Sequence, residues 1–136
     1  MDIDGAVNFM LSNHRAVLHT FRRDGGPQLS PITVGVDDGG HPIVSSRETA
    51  FKVKNVRRDA AVSLCVFADD WYGGWIQVDG SADVLSLPEA MEPLVEYYRV
   101  VAGEHPDWDD YRAAMERDRR VLLRITIDRV GPTQAG

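Results

Sequence analysis

The sequence predicts a mainly β fold: a six-stranded antiparallel β-barrel with a few helices, forming one domain over residues 1–136. Three observations carry this prediction. The turns Asp24-Gly25-Gly26 and Asp37-Asp38-Gly39-Gly40 tolerate positive φ and separate stretches of strand composition at hairpin distance. Helical spacing does not alternate with the strands, as a doubly wound parallel sheet would need. The length suits one domain and can bury a core without disulfides or a structural metal.

Taken in order, Ile3, Ala6, Val7, Met10 and Leu11 have helical spacing, and Ser12-Asn13 is a stop. Arg15 to Arg23 reads as a strand with one core face and one mixed face. Gln28 to Val36 is its hairpin partner, and His41 to Ser46 is a third, short strand. The period then changes. Ala50, Val53 and Val56 predict a short helix over Thr49 to Arg58. Ala60 to Ala68 is an apolar strand rich in β-branched residues, and Trp75 to Leu85 is the next strand. Ser86-Leu87-Pro88-Glu89 has the form of a capping box, so a helix is expected from there to Gly103 with Met91, Leu94, Val95 and Tyr98 buried. Pro106-Asp107 opens another helix, whose acidic first turn suits the dipole; Trp108, Tyr111 and Met115 form its packing face. Arg120 to Val130 is the last strand, and Gly131 to Gly136 reads as a frayed tail.

Composition narrows the function. Hydrophobic residues at 43% and charged residues at 26% are the balance of a soluble protein. No apolar run approaches the roughly 18 residues of a membrane span, and the acidic Met1-Asp2-Ile3-Asp4 is not a signal peptide, so no membrane association is expected. A net charge of -6 argues against nucleic acid as a partner. The single cysteine, Cys65, is expected as a buried thiol, and a cytoplasmic location follows from cysteine usage. The four histidines have no metal-ligand spacing, so no metal is predicted. Neither a nucleophile elbow nor a P-loop nor a dinucleotide fingerprint is present.

One feature stands against the acidic background. Arg47, Lys52, Lys54, Arg57 and Arg58 put five of the fifteen Lys and Arg residues into twelve positions, in a segment that also opens a short helix. A helix start offers unpaired N–H groups and a positive dipole end, which suit a phosphate. Ser45, Ser46 and Thr49 add neutral donors, and Lys52 shares a helix face with Asn55. The same pattern also reads as a solvated helix that serves solubility.

A resemblance separates these readings. The stretch Ser46 to Leu64 (SRETAFKVKNVRRDAAVSL) resembles the phosphate-binding segment of the pyridoxamine 5'-phosphate oxidase-like split β-barrel family. Lys52, Asn55, Arg57, Arg58, Asp59 and Ala61 fill comparable positions. Ala60 replaces the usual proline, and Ala50 stands where an arginine is frequent. Asp24 to Pro31 (DGGPQLSP) resembles the family's hairpin. Tyr98 to Leu123 is similar to actinobacterial members that use the deazaflavin coenzyme F420.

The resemblance implies a split barrel of the FMN-binding type and a homodimer with two cofactor sites at its interface. It places Lys52 at the cofactor phosphate with Ser45 and Ser46 nearby, and Lys54, Asn55 and Arg57 along an acidic tail. Gln28, Ser30, Pro31 and Thr33 would line the ring, and Trp75 and Gln77 would come from the partner. Trp71 and Tyr72 read as a lid over the ring or as a capping cluster. The implied activity is an F420-dependent oxidoreductase that passes a hydride to a conjugated small-molecule substrate. No catalytic residue is assigned, since the cofactor carries the chemistry. The alternatives are an FMN-binding oxidase of the pyridoxamine 5'-phosphate type and a non-catalytic cofactor carrier.

Overall fold

The computed structural model describes residues 1–70 and 72–133. Its elements are α1 (Ile3–Ser12), β1 (Arg15–Phe21), β2 (Pro27–Thr33), β3 (Gly35–Val36), β4 (Pro42–Arg47) and α2 (Phe51–Arg58). They are followed by β5 (Ala61–Phe67), β6 (Trp75–Leu85), α3 (Met91–Ala102), α4 (Trp108–Arg117) and β7 (Arg120–Thr133). The strands form one antiparallel sheet in the order β2-β1-β5-β6-β7-β4-β3. Its two edges, β2 and β3, are joined in the chain by Val34 alone. The sheet must therefore curl until its edges nearly meet, which makes it a barrel split along one seam. Val34 is fully buried there and donates its N–H to the carbonyl of His14 at 2.8 Å.

Each strand turns alternate side chains inward. Ala16, Leu18, Val44, Val62, Leu64, Val66, Ile76, Val78, Val121, Leu123 and Ile125 fill the interior, with Ala6 and Met10 of α1 and Val53 and Val56 of α2 closing it. Full burial of one such Leu contributes about 1.5–3 kcal/mol. A second, smaller core lies outside the barrel wall. Here Ile43 and Leu122 meet Leu94, Val95, Tyr111 and Met115 of α3 and α4.

The expected helix starts are half right. Asp2 caps α1 through Gly5 N–H at 2.8 Å, and Asp107 caps α4 through Asp110 N–H at 3.1 Å. Replacing Asp107 with Ala should cost about 1 kcal/mol, visible as a lower denaturant midpoint. The capping box at Ser86 does not form. Residues 87–90 make turns in which Ala90 N–H reaches Ser86 and Met91 N–H reaches Pro88, so α3 begins at Met91 without a side-chain cap.

Four further expectations need correction. The predicted strand Gln28 to Val36 is two strands, which makes seven rather than six, because its halves pair with β1 and β4 on opposite edges of the sheet. The predicted helix over Thr49 to Arg58 begins only at Phe51. Cys65 is exposed: Val62, Leu64 and Val66 take the inward positions of β5, so Cys65 faces out. Of the expected frayed tail, Gly131 to Thr133 belong to β7, where Thr133 pairs with Ile76; residues 134–136 lie outside the described set.

Candidate functional site

The start of α2 lies where β4 leaves the sheet. Its cap residue, Ala50, has an extended backbone and no side chain able to satisfy the first N–H groups. The Val53 N–H already reaches the Ala50 carbonyl at 3.1 Å, and those of Phe51 and Lys52 remain available to an anion, along with the positive end of the helix. Lys52, in the first turn, is half-buried and has no carboxylate partner among the described residues. Burial, and after it the charge of Arg120, pulls the Lys52 ammonium below the usual lysine range.

Lys52 lines a hollow of about 380 Å³ with Pro31, Ile32 and Thr33 of β2, Ser45 of β4 and Tyr97 of α3. Tyr97 donates its hydroxyl hydrogen to the Thr33 carbonyl at 2.8 Å. Burial raises the Tyr97 phenol, with the Ser45 backbone and Arg120 opposing the rise, so it stays protonated as a donor. Tyr111, behind it in the second core, is raised by burial to about 12.

The opposite end of α2 lies against the β1–β2 hairpin. Asn55 donates to Thr20 Oγ1 at 3.1 Å, and Arg58 donates to the Phe21 carbonyl and to Asn55 Oδ1, each at 2.8 Å. Here Gln28, Lys54, Asn55 and Arg58 line a second hollow, of about 650 Å³, with Arg22, Arg23, Asp24 and Phe51. Four cations face one carboxylate, and that carboxylate is already engaged: the Gly26 N–H and then Arg22 hold Asp24 below its usual range. α2 therefore runs antiparallel to β2, and the two hollows follow one another along the seam between them. From Gln28 to Thr33 the seam measures about 17 Å at strand rise. As an edge of the sheet, β2 also presents unpaired backbone groups along it.

The structure thus gathers Lys52, Ser45, Pro31 and Thr33 at one end and Gln28, Lys54 and Asn55 at the other. Ser30 is half-buried on the same face of β2 as Gln28, opposite to Pro31 and Thr33. Ser46 faces the barrel interior at 3% exposure, because Ser45 takes the outward position of β4. Asn55 is 5% exposed, and its amide is committed to Thr20 and Arg58. Arg57 lies on the far side of α2, where it donates to Glu48 at 2.8 Å and Ser86 at 3.2 Å.

Trp75 and Gln77 stand apart, on β6, three strands from β2. Gln77 lines a hollow of about 360 Å³ on the outer sheet face with Val17, His19, Leu29, Ser63, Leu64 and Cys65. Its amide nitrogen donates to Asp79 at 3.1 Å, and Asp79 also accepts from Ser63 at 2.6 Å. The Ser63 bond, more than that of Gln77, keeps Asp79 ionised below its usual range. Although Cys65 faces out, partial desolvation by its neighbours in this hollow raises its thiol. Tyr72 is 92% exposed and covers nothing, while Trp71 lies outside the described residues.

The sequence reading missed Tyr97, Arg22 and Arg23. Tyr97 was legible as the residue three beyond Leu94, next to the Tyr98 of the predicted stripe. The hairpin arginines flank a turn, where charge normally signals only solvation. No helix among the described residues is long and apolar enough to cross a membrane, and no metal-binding group is found among them.

Comparison with known proteins agrees with this architecture. Residues 3–134 match the family model described as pyridoxamine 5'-phosphate oxidase. Among solved structures, the conserved hypothetical protein Rv2991 of Mycobacterium tuberculosis superposes with a TM-score of 0.78 at 25% identity, over 96% of this chain and 82% of that one. An F420 reductase superposes with a TM-score of 0.69 at 20% identity, over 91% of this chain and 94% of its own. A pyridoxamine 5'-phosphate oxidase candidate of Listeria innocua gives 0.68 at 17% identity, over 95% of each chain. The curled antiparallel sheet and a match that spans nearly every described residue agree: the chain belongs to the pyridoxamine 5'-phosphate oxidase family.

Proposed function

We propose that the seam between β2 and α2 binds coenzyme F420 and that the protein is an F420-dependent oxidoreductase acting on a conjugated small molecule. One observation carries the choice of cofactor. Positive charge continues past Lys52 to Lys54, Arg58, Arg22 and Arg23, along the full length of α2. FMN ends at one phosphate and has no use for the second cluster. A deazaflavin whose phosphate continues into a carboxylate tail uses both. The residues present fit the group: an uncapped helix start and an unpaired Lys52 for the phosphate, and an arginine-rich hollow for the tail.

When bound, the reduced deazaflavin supplies a hydride; the protein supplies grip, orientation and exclusion of water. Lys52 and the α2 N–H groups hold the phosphate. Tyr97 positions Thr33 by its bond to the carbonyl, and thereby fixes the edge along which the ring lies. The outer sheet face, with Leu29 60% exposed beside Cys65 and Gln77, is an apolar surface that a second copy of the chain would cover. In that homodimer Trp75 and Gln77 belong to the partner's cofactor site. Gln77 is held through its amide nitrogen, which donates to Asp79.

Titration with F420 and with FMN, followed by fluorescence, tests the reading. F420 is expected to bind more tightly. Tighter FMN binding with rapid oxygen consumption on pyridoxamine 5'-phosphate would transfer the protein to the oxidase reading. F420 binding with no acceptor reduced above the protein-free rate would make it a carrier. Arg58→Glu should weaken F420 by about tenfold, the effect of one charge-assisted contact, and leave FMN affinity within twofold. Equal losses for both would show that the second cluster does not read the tail.

A further inference from the structure

Where β4 ends and β7 begins, positive charge collects without a counter-charge. Arg47 and Arg120 stand directly opposite each other in the β4–β7 ladder, a like-charged pairing that works against the sheet. Arg119, in the turn from α4, has a φ of 52°, the left-handed region that a side chain disfavours; it is the one non-glycine residue there among the described residues. Its backbone is fixed on both sides. The Arg119 N–H reaches the Glu116 carbonyl at 3.1 Å, and its own carbonyl accepts the Glu48 N–H at 3.0 Å. Neither Arg119 nor Arg120 forms an ion pair among the described residues, and Arg120 Nε is buried without a hydrogen-bond partner.

These residues border a recess of about 260 Å³, lined by Glu48, Ser86, Leu87, Arg119, Arg120 and Val121. Val121 belongs to the barrel core and Leu87 packs against the second core, so the wall behind the arginines is apolar. Glu48 is the carboxylate of the recess, and it is already engaged: both its oxygens accept from Arg57, at 2.8 and 2.9 Å. The same Arg57 nitrogen donates to Ser86 Oγ at 3.2 Å, which leaves the Ser86 hydroxyl its own hydrogen to give. Three arginines and a hydroxyl thus face one neutralised carboxylate, on a chain whose net charge is -6. No lining residue is shared with either hollow of the seam between β2 and α2.

Facing like charges, a strained backbone and a donor without an acceptor are arrangements that folding alone does not favour. We propose that this recess is a separate anion site, which takes a phosphate-class oxyanion between Arg119, Arg120 and Ser86. Planar guanidinium groups meet such oxygens in pairs, and the hydroxyl adds a neutral donor. The anion supplies the counter-charge that the fold leaves out. It also joins the link from β6 to α3, through Ser86, to the turn from α4 to β7, through Arg119. The recess is smaller than the usual pocket for a whole ligand, so its occupant is the free ion or the phosphate end of a small molecule.

Thermal melting and calorimetric titration with inorganic phosphate, against chloride at equal ionic strength, test the site. Phosphate can also enter the Lys52 hollow, so Arg119→Gly and Arg120→Met are made in the Lys52→Ala background. Phosphate should raise the melting temperature of Lys52→Ala more than chloride does. Its affinity should fall about tenfold or more once either arginine is replaced, as loss of a charge-assisted contact predicts. Without phosphate, Arg119→Gly should melt no lower than its background, because glycine accepts the left-handed backbone; lost binding is thereby separated from lost folding. Ribose 5-phosphate is the second probe. Binding at least as tight as that of the free ion assigns the recess to a phosphorylated small molecule, and weaker binding assigns it to the ion itself. Lys52→Ala that phosphate stabilises no more than chloride would overturn the proposal, as would unchanged phosphate affinity in either arginine variant. With Lys52 intact, Arg119→Gly should keep its F420 and FMN affinities within twofold; a tenfold loss would merge the recess with the cofactor seam and end its standing as a separate site.

Discussion

Replacing Lys52 with Ala should weaken F420 binding by about 1.5–3 kcal/mol, the worth of a charge-assisted hydrogen bond to phosphate. The effect is large because Lys52 has been prepared at a cost. It is half-buried, it has no carboxylate among the described residues, and burial together with Arg120 already disfavours its charged form. An incoming anion restores the favourable state of that charge, so binding and protonation of Lys52 reinforce each other. Affinity should therefore fall as pH rises toward the lowered Lys52 pKa, and the Ala variant should lose this dependence. The ligand-free variant should unfold no earlier than the parent. Because the folded-state pKa is depressed, the unfolded chain binds more protons between the lowered and the ordinary lysine values; stability rises with pH across that window, and below it the Lys52 charge costs the fold its full share. Fluorescence titration at neutral and alkaline pH measures both effects. Unchanged affinity in the variant would remove Lys52 from the phosphate site.

Gly80→Ala should destabilise the fold by about 3 kcal/mol or more, among the larger effects of a single methyl group. Gly80 is buried on β6, where the register against β7 shifts by a bulge between Asp79 and Gly80. A Cβ at this position runs into the carbonyl oxygen of Thr126, a backbone atom that cannot rotate aside. The β6–β7 pairing runs from Ile76 to Leu85 and joins the two halves of the barrel, so forcing it apart disturbs both cores. The melting temperature should drop by roughly 10 °C. Gly74→Ala provides the control. Its Cβ would sit 3.6 Å from Phe9, an ordinary contact, and the variant should melt near the parent or slightly above it. Parental stability for Gly80→Ala would show that the strand crossing is looser than this geometry implies.

Local pattern was enough for α1, β1, β6 and α4, because each carries its own signal: a cap, an alternation, or a change of period. The break between β2 and β3 was not legible. Pro31 to Val36 is continuous strand composition, and what divides it is the choice of different partners on either side of Val34. Exposure of Cys65 was misread because an apolar run does not reveal which alternate residues face the core; its neighbours in β1 and β6 decide that.

The candidate site divides along the same line. Lys52 stood out as a cation at a helix start on an acidic chain. The adjacent Arg57 and Arg58 could not be told apart, yet one is held by Glu48 and Ser86 while the other faces the arginine-rich hollow. Arg120 lies far from Lys52 in the chain, and only the pairing of β4 with β7 brings its charge to bear on Lys52.

From residue order alone came the antiparallel β class, the positions of the helices and the location of the basic segment, since turn chemistry, side-chain period and charge are properties of neighbours in the chain. Only the folded chain decided which side chains share a cavity, which cation is neutralised by a carboxylate, and which is left for a ligand. Those outcomes depend on strand register and on burial, both of which arise between residues distant in sequence.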